Sequence, residues 1–104
     1  MSVVVIARPE GINEEMYDAV NRKIGDDMPD GMVIHTAGRS EDGAFQIVDV
    51  WESREAHERF AMERLMPAVN AVMQDMGMPQ VDRPPADQTI YEAHHVMEPA
   101  AVAH

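Results

Sequence analysis

Asp49 stands between Val48 and Val50 in the apolar run Ala44-Phe45-Gln46-Ile47-Val48-Asp49-Val50-Trp51. A carboxylate in a strand that reads as buried is costly unless it is paired, hydrogen-bonded or protonated, so it needs a reason to be there. A candidate partner is His35. Between the two lies Ser40-Glu41-Asp42-Gly43, with Ser first and Gly fourth, the preference of a type I turn closed by a left-handed glycine bulge. That loop sets Ser40 opposite Ala44, and counting outward pairs Arg39 with Phe45, Ala37 with Ile47, His35 with Asp49 and Val33 with Trp51. Opposed residues have Cβ atoms about 4.5 to 5.5 Å apart, near enough for an imidazole and a carboxylate to hydrogen-bond as an acid–base pair. A two-residue loop, with Asp42-Gly43 as a type I′ turn, would shift the register by one and send His35 to the other face.

Each of these residues also has a structural role open to it. Asp49 can accept hydrogen bonds from an Arg or His at an interface, and His35 can be a satisfied core histidine. Trp51 is either a core aromatic or a stacking wall for a flat ligand. With Phe60, Met62, Leu65, Met66 and Val69 it forms the candidate lining of a ligand pocket between sheet and helix. Methionines number ten, and Met62, Met66, Met73, Met76 and Met78 gather on or just after the second helical pattern, as core filler or as a plastic wall. His57, among Glu55, Glu58 and Arg59, reads as a solvated or rim residue. His94 and His95 fall on opposite faces of a last strand and cannot bind one metal together. His35 and that strand are separated by roughly 14 Å at about 4.8 Å per strand step, so no metal site is expected within one chain. Cysteine is absent, and neither the serines nor Lys23 has the setting of a nucleophile. Phosphate-loop and dinucleotide glycine patterns are absent too.

The elements that must position this chemistry follow from periodicity. Ser2 to Arg8 predicts a strand, and Pro9-Glu10-Gly11 breaks it. A helix follows with Asn13 as N-cap, Ile12 and Tyr17 at hydrophobic-staple spacing, Met16, Val20 and Ile24 as its apolar stripe, and Gly25 as its stop. Met32 to Arg39 and Ala44 to Glu52 predict a β-hairpin. Ser53 caps a second helix that runs to about Met76, where Pro67 should produce a kink or two helical pieces meeting near Met66. A proline-rich loop, Gly77 to Gln88, leads to a last strand, Thr89 to Met97. Residues 1–97 therefore read as a single α+β domain of ferredoxin-like order βαββαβ with a four-stranded antiparallel sheet, and 98–104 as a flexible tail.

Eight basic against nineteen acidic residues among 104 give a formal charge of -11. Such a chain is repelled by phosphate backbones and anionic lipid, so neither nucleic acid nor a membrane is an expected partner. Without cysteine or a charged leader ahead of an apolar segment, the expected location is cytoplasmic. Val3, Val5 and Ala7 alternate with Val4 and Ile6, and Phe45, Ile47 and Trp51 with Val48 and Val50, so both sheet faces read as buried. Two helices cover only one face. The economical cover for the other is a second copy, packed sheet to sheet as a homodimer.

These patterns, and above all His35-Thr36-Ala37-Gly38, Gly43, Val48-Asp49-Val50-Trp51-Glu52-Ser53 and then Phe60, Leu65 and Pro67, resemble the dimeric α+β barrel superfamily. Within it, the chain is similar to the small proteins grouped with antibiotic biosynthesis monooxygenases. The resemblance implies a dimer with a pocket between sheet and helices. It leaves the reaction open, since the superfamily hosts cofactor-independent oxygenases, isomerases, haem-degrading enzymes and members without known activity. The haem-degrading branch fits poorly, because it uses an Asn on the first strand, where this chain has Val3 to Ile6. Two readings follow: an enzyme without a bound cofactor, a monooxygenase or an isomerase/cyclase, that takes a proton from a flat apolar or phenolic metabolite through His35 or Asp49; or a non-catalytic dimeric binding module.

Overall fold

The turn between the two hairpin strands forms as its residues predict. Ser40 N–H donates to the Ala44 carbonyl and Gly43 N–H to the Ser40 carbonyl, both at 2.9 Å, with Gly43 at φ +89°, a conformation glycine adopts without the Cβ penalty. The Asp42 carboxylate braces the loop by accepting from the Ser40 hydroxyl and from Ala44 N–H. This is the computed structural model of the chain, which describes residues 2–9, 13–81 and 86–97. In it β1 (Val3–Pro9) is followed by α1 (Glu14–Ile24), β2 (Met32–Arg39), β3 (Phe45–Trp51), α2 (Arg54–Phe60), a π-helical turn (Ala61–Leu65), α3 (Met66–Asp75) and β4 (Ala86–Glu92). The four strands form one antiparallel sheet in the order β2-β3-β1-β4, so the fold is α+β and ferredoxin-like.

Register in the hairpin matches the turn. Arg39 opposes Phe45, Ala37 opposes Ile47 and His35 opposes Asp49. One pair differs: Trp51 lies opposite Met32, not Val33, because a β-bulge between Met32 and Ile34 inserts Val33 as an extra residue. The last strand also differs from the expected Thr89–Met97. Its length is set by β1, which it follows from Pro9 opposite Ala86 to Val3 opposite Glu92; beyond that the Ala93 amide reaches Ser2 and β1 offers no further partner. His94 and His95 therefore lie past the strand and not on its two faces. Ile12, most of the proline-rich loop's centre (82–85) and the expected tail (98–104) fall outside the described residues.

Both helical segments cover the face of the sheet that carries Val3, Val5, Asp49 and Trp51. Val3, Val5 and the fully buried Trp51 form the core, with Met32, Ala56, Phe60 and Ile90 packed on it. Asn13 caps α1 by accepting from Met16 N–H, and Ser53 caps α2 by accepting from Ala56 N–H. Gly31 lets the loop before β2 approach α2: at φ +85°, an added Cβ would fall 2.6 Å from the Ala56 Cβ.

Pro67 acts as expected, although through a widened turn. Having no N–H, it cannot bond the Glu63 carbonyl, and α3 begins at Met66, whose N–H reaches back five residues to Ala61. The extra residue has a consequence for side chains. Phe60 and Leu65, five apart, come onto one face across the π turn, and Val69 continues it. Met62, expected in the pocket lining, instead turns outward and is 74% exposed. Of the methionines on this stretch, Met73 is buried and Met62, Met76 and Met78 are exposed.

Candidate functional site

His35 Nδ1 and Asp49 Oδ1 are 2.5 Å apart, joined across the hairpin at the opposed positions of β2 and β3. Asp49 is 9% exposed, so its charge sits against the core and is met by the imidazole. The other ring nitrogen, Nε2, hydrogen-bonds the Tyr17 hydroxyl. These contacts fix the proton positions in the neutral state: Nδ1–H donates to the carboxylate, and the bare Nε2 accepts from Tyr17.

Tyr17 was not singled out by sequence as a site residue. It reaches the site because α1 lies across the hairpin, where its ring stacks nearly parallel to His35, with centroids 6.0 Å apart, and tilts against Phe45 at 5.3 Å. An ion pair between Arg39 at the end of β2 and Glu14 in the first turn of α1 ties the helix there, and the Arg39 guanidinium lies over Phe45. The usable signal was Tyr17-Val20-Asn21-Ile24, a stripe at helical spacing whose residues line a cavity between sheet and helices.

The hydrogen bond to Asp49 holds the His35 imidazole above the ordinary histidine value, with burial acting against it. Burial raises Tyr17 above the usual phenol value, and the Asp49 charge adds to that, so its hydroxyl keeps its proton and serves as a donor.

The chain Tyr17-His35-Asp49 opens on a cavity of about 560 Å³ between sheet and helices. Its floor is Val5, Ala7, Ile47 and Asp49; its walls include Val20, Ile24, Phe60, Leu65 and Val69; Asp18, Arg22, Asp26 and Asp27, all exposed, stand at its rim. Of the pocket residues expected from sequence, Phe60, Leu65 and Val69 line it. Trp51 lies in the core beneath, and Met62 and Met66 are not part of the lining. His57 differs most from its sequence reading. It is 8% exposed, not a rim residue, because α2 turns it inward against Trp51, where it lines the cavity. Burial pushes its imidazole below the ordinary value, with the Asp49 charge opposing. Among the described residues, no three His, Asp or Glu side chains converge as a metal ion would require.

No protein-family model matches the chain, and no curated protein matches it in sequence. Solved structures do match its fold. The chain superposes on Rv0793 from Mycobacterium tuberculosis with a TM-score of 0.64 at 19% identity, covering 94% of this chain and 100% of that one. A variant of SnoaB, a cofactor-independent oxygenase from Streptomyces nogalater, gives 0.57 at 18% identity over 92% and 94%. The ActVA-Orf6 monooxygenase of Streptomyces coelicolor, in complex with nanaomycin D, gives 0.55 at 19% over 95% and 92%. The resemblance to antibiotic biosynthesis monooxygenase-like proteins thus holds at the level of the fold.

Proposed function

We propose that this chain binds a flat, largely apolar metabolite between sheet and helices and ionises it through Tyr17, His35 and Asp49, as a monooxygenase or isomerase/cyclase that works without a bound cofactor. The observation that carries the reading is the hydrogen-bonded chain of those three residues opening on a cavity whose remaining walls are mostly apolar. A cavity of about 560 Å³ is in the range of small-molecule sites. In the first step, the substrate hydroxyl gives its proton to the Tyr17 oxygen as Tyr17 passes its own to His35 Nε2. The resulting imidazolium is stabilised by Asp49. Oxygenation, isomerisation or cyclisation can each proceed from the anion. With dioxygen as oxidant, a phenol with an adjacent ring C–H leaves as a quinone plus water, the substrate supplying the electrons. The fold shared with two oxygenases, one described as cofactor-independent and one holding nanaomycin D, supports the substrate class.

The working unit in this reading is a homodimer. Val4, Ile6, Val48 and Val50, with the exposed Ile34 and Tyr91, occupy the sheet face away from the helices, and a second copy pairing there would bury more than roughly 2,000 Å² in total. The test is oxygen uptake and absorbance change with a panel of hydroxylated naphthalenes and anthracenes. His35→Gln should keep binding and lose about 100-fold or more in turnover on any substrate found. Full turnover by His35→Gln would end the acid–base reading. Tight binding by the wild type without any conversion would favour the non-catalytic module, which the same cavity also suits.

A further inference from the structure

Among the described residues, two buried polar side-chain atoms lack a hydrogen-bond partner, Trp51 Nε1 and His57 Nδ1. The two rings touch, with centroids 5.7 Å apart and planes at 60°. Trp51 is sealed in the core, whereas His57 forms part of the cavity wall. Nothing local explains a histidine here. The first turn of α2 is capped by Ser53, the His57 backbone N–H is taken by the Ser53 carbonyl, and neither Arg54 nor Glu58 bonds the ring. An apolar residue would fill the volume without leaving a polar group unsatisfied.

The position of His57 relative to the acid–base chain gives it a use. The Tyr17 hydroxyl meets His35, which opposes Asp49 on β3, and His57 lies against Trp51, two residues or about 7 Å further along the strand at roughly 3.3 Å per residue. A two-ring ligand lying on this floor among Val5, Ile47, Phe60 and Leu65 would meet the Tyr17 hydroxyl at one end and the His57 ring at the other.

We propose that His57 is a second polar anchor of the cavity, a specificity-determining residue that hydrogen-bonds through its Nε2 edge to a ligand carrying oxygen at both ends of an apolar ring system. The inference rests on the cavity being a ligand site, as proposed above, but not on turnover. Nδ1 is buried without a partner, which leaves Nε2 as the nitrogen for a ligand. Burial keeps the ring uncharged, so it has one donor and one acceptor and suits a hydroxyl or a carbonyl.

The test is calorimetric binding of two probes, 2,6-dihydroxynaphthalene and 2-naphthol, to the wild type, His57→Leu and His57→Gln, each verified as folded by its melting transition. The wild type should bind the diol about ten-fold more tightly, which is about 1.4 kcal/mol. His57→Leu should bind the two alike. His57→Gln should keep most of the preference, because its amide nitrogen reaches the place of the imidazole Nε2. Equal binding by the wild type, binding of neither probe, or a preference that survives in His57→Leu would overturn the proposal. A loss of turnover in His35→Gln, or its persistence, bears on the acid–base reading alone and leaves this result standing.

Discussion

Replacing Asp49 by Asn removes the charge that Asp49 presents to His35 and keeps the shape. The wild-type contact is a hydrogen bond to an ionised group, a type worth about 1.5–3 kcal/mol in stability when the imidazole is charged. His35's side chain is 32% exposed, so solvent screening puts the expected loss near the lower figure, about 1.5 kcal/mol. The sign with pH follows from the raised His35 value. A histidine held above its unfolded value contributes fully below that unfolded value, about 6.5, and its contribution disappears as pH rises through the folded one. The gap between wild type and Asp49→Asn should therefore be widest near pH 5.5 and narrow toward pH 9. His57 adds to the gap with the same sign. Its value is lowered by burial and partly restored by the Asp49 charge, so without that charge the ring resists protonation further and the variant loses more stability on acidification. Urea unfolding at the two pH values measures both effects together. A gap that does not change with pH would show that the imidazole draws no stabilisation from this carboxylate.

Gly31→Ala should lower stability by more than about 1 kcal/mol in thermal or urea unfolding, because the added methyl meets Ala56 and the backbone is held at positive φ; an unchanged midpoint would show that the loop can retreat. Ile34→Asp, on the sheet face away from the helices, should shift the sedimentation of a dimer toward monomer at micromolar concentration, and a stable dimer in that variant would place the contact elsewhere. The rim aspartates 18, 26 and 27 outnumber Arg22, so 2-naphthoate should bind more weakly than 2-naphthol, and the difference should shrink in Asp26→Asn/Asp27→Asn and at high salt.

Much of the framework was legible because it is local. The Asn13 and Ser53 caps, the Ser40-Gly43 turn and the Pro67 interruption are decided within a few residues, and the turn carried the register that brings His35 to Asp49. What escaped depends on contacts between distant segments. The bulge at Val33 and the end of β4 at Glu92 are settled by the strands they pair with. The π turn rotates Met62 outward and brings Phe60 and Leu65 together, and no regular period counts an inserted residue. Tyr17 and His57 join the cavity through the placement of α1 and α2 on the sheet; a polar or charged neighbourhood in sequence, as around His57, says little about which way one side chain turns.

Asp49 and Tyr17 hold His35 with its proton on Nδ1 and a bare Nε2 facing Tyr17 at the cavity. Nitrogen-15 spectra of the imidazole above its titration read this directly, since a free histidine favours the proton on Nε2. The wild type should show the Nδ1–H form and an Nε2 resonance that moves when 2-naphthol is added, and Asp49→Asn should shift toward the ordinary tautomer. An Nε2–H imidazole in the wild type, unmoved by the probe, would contradict this placement of the proton.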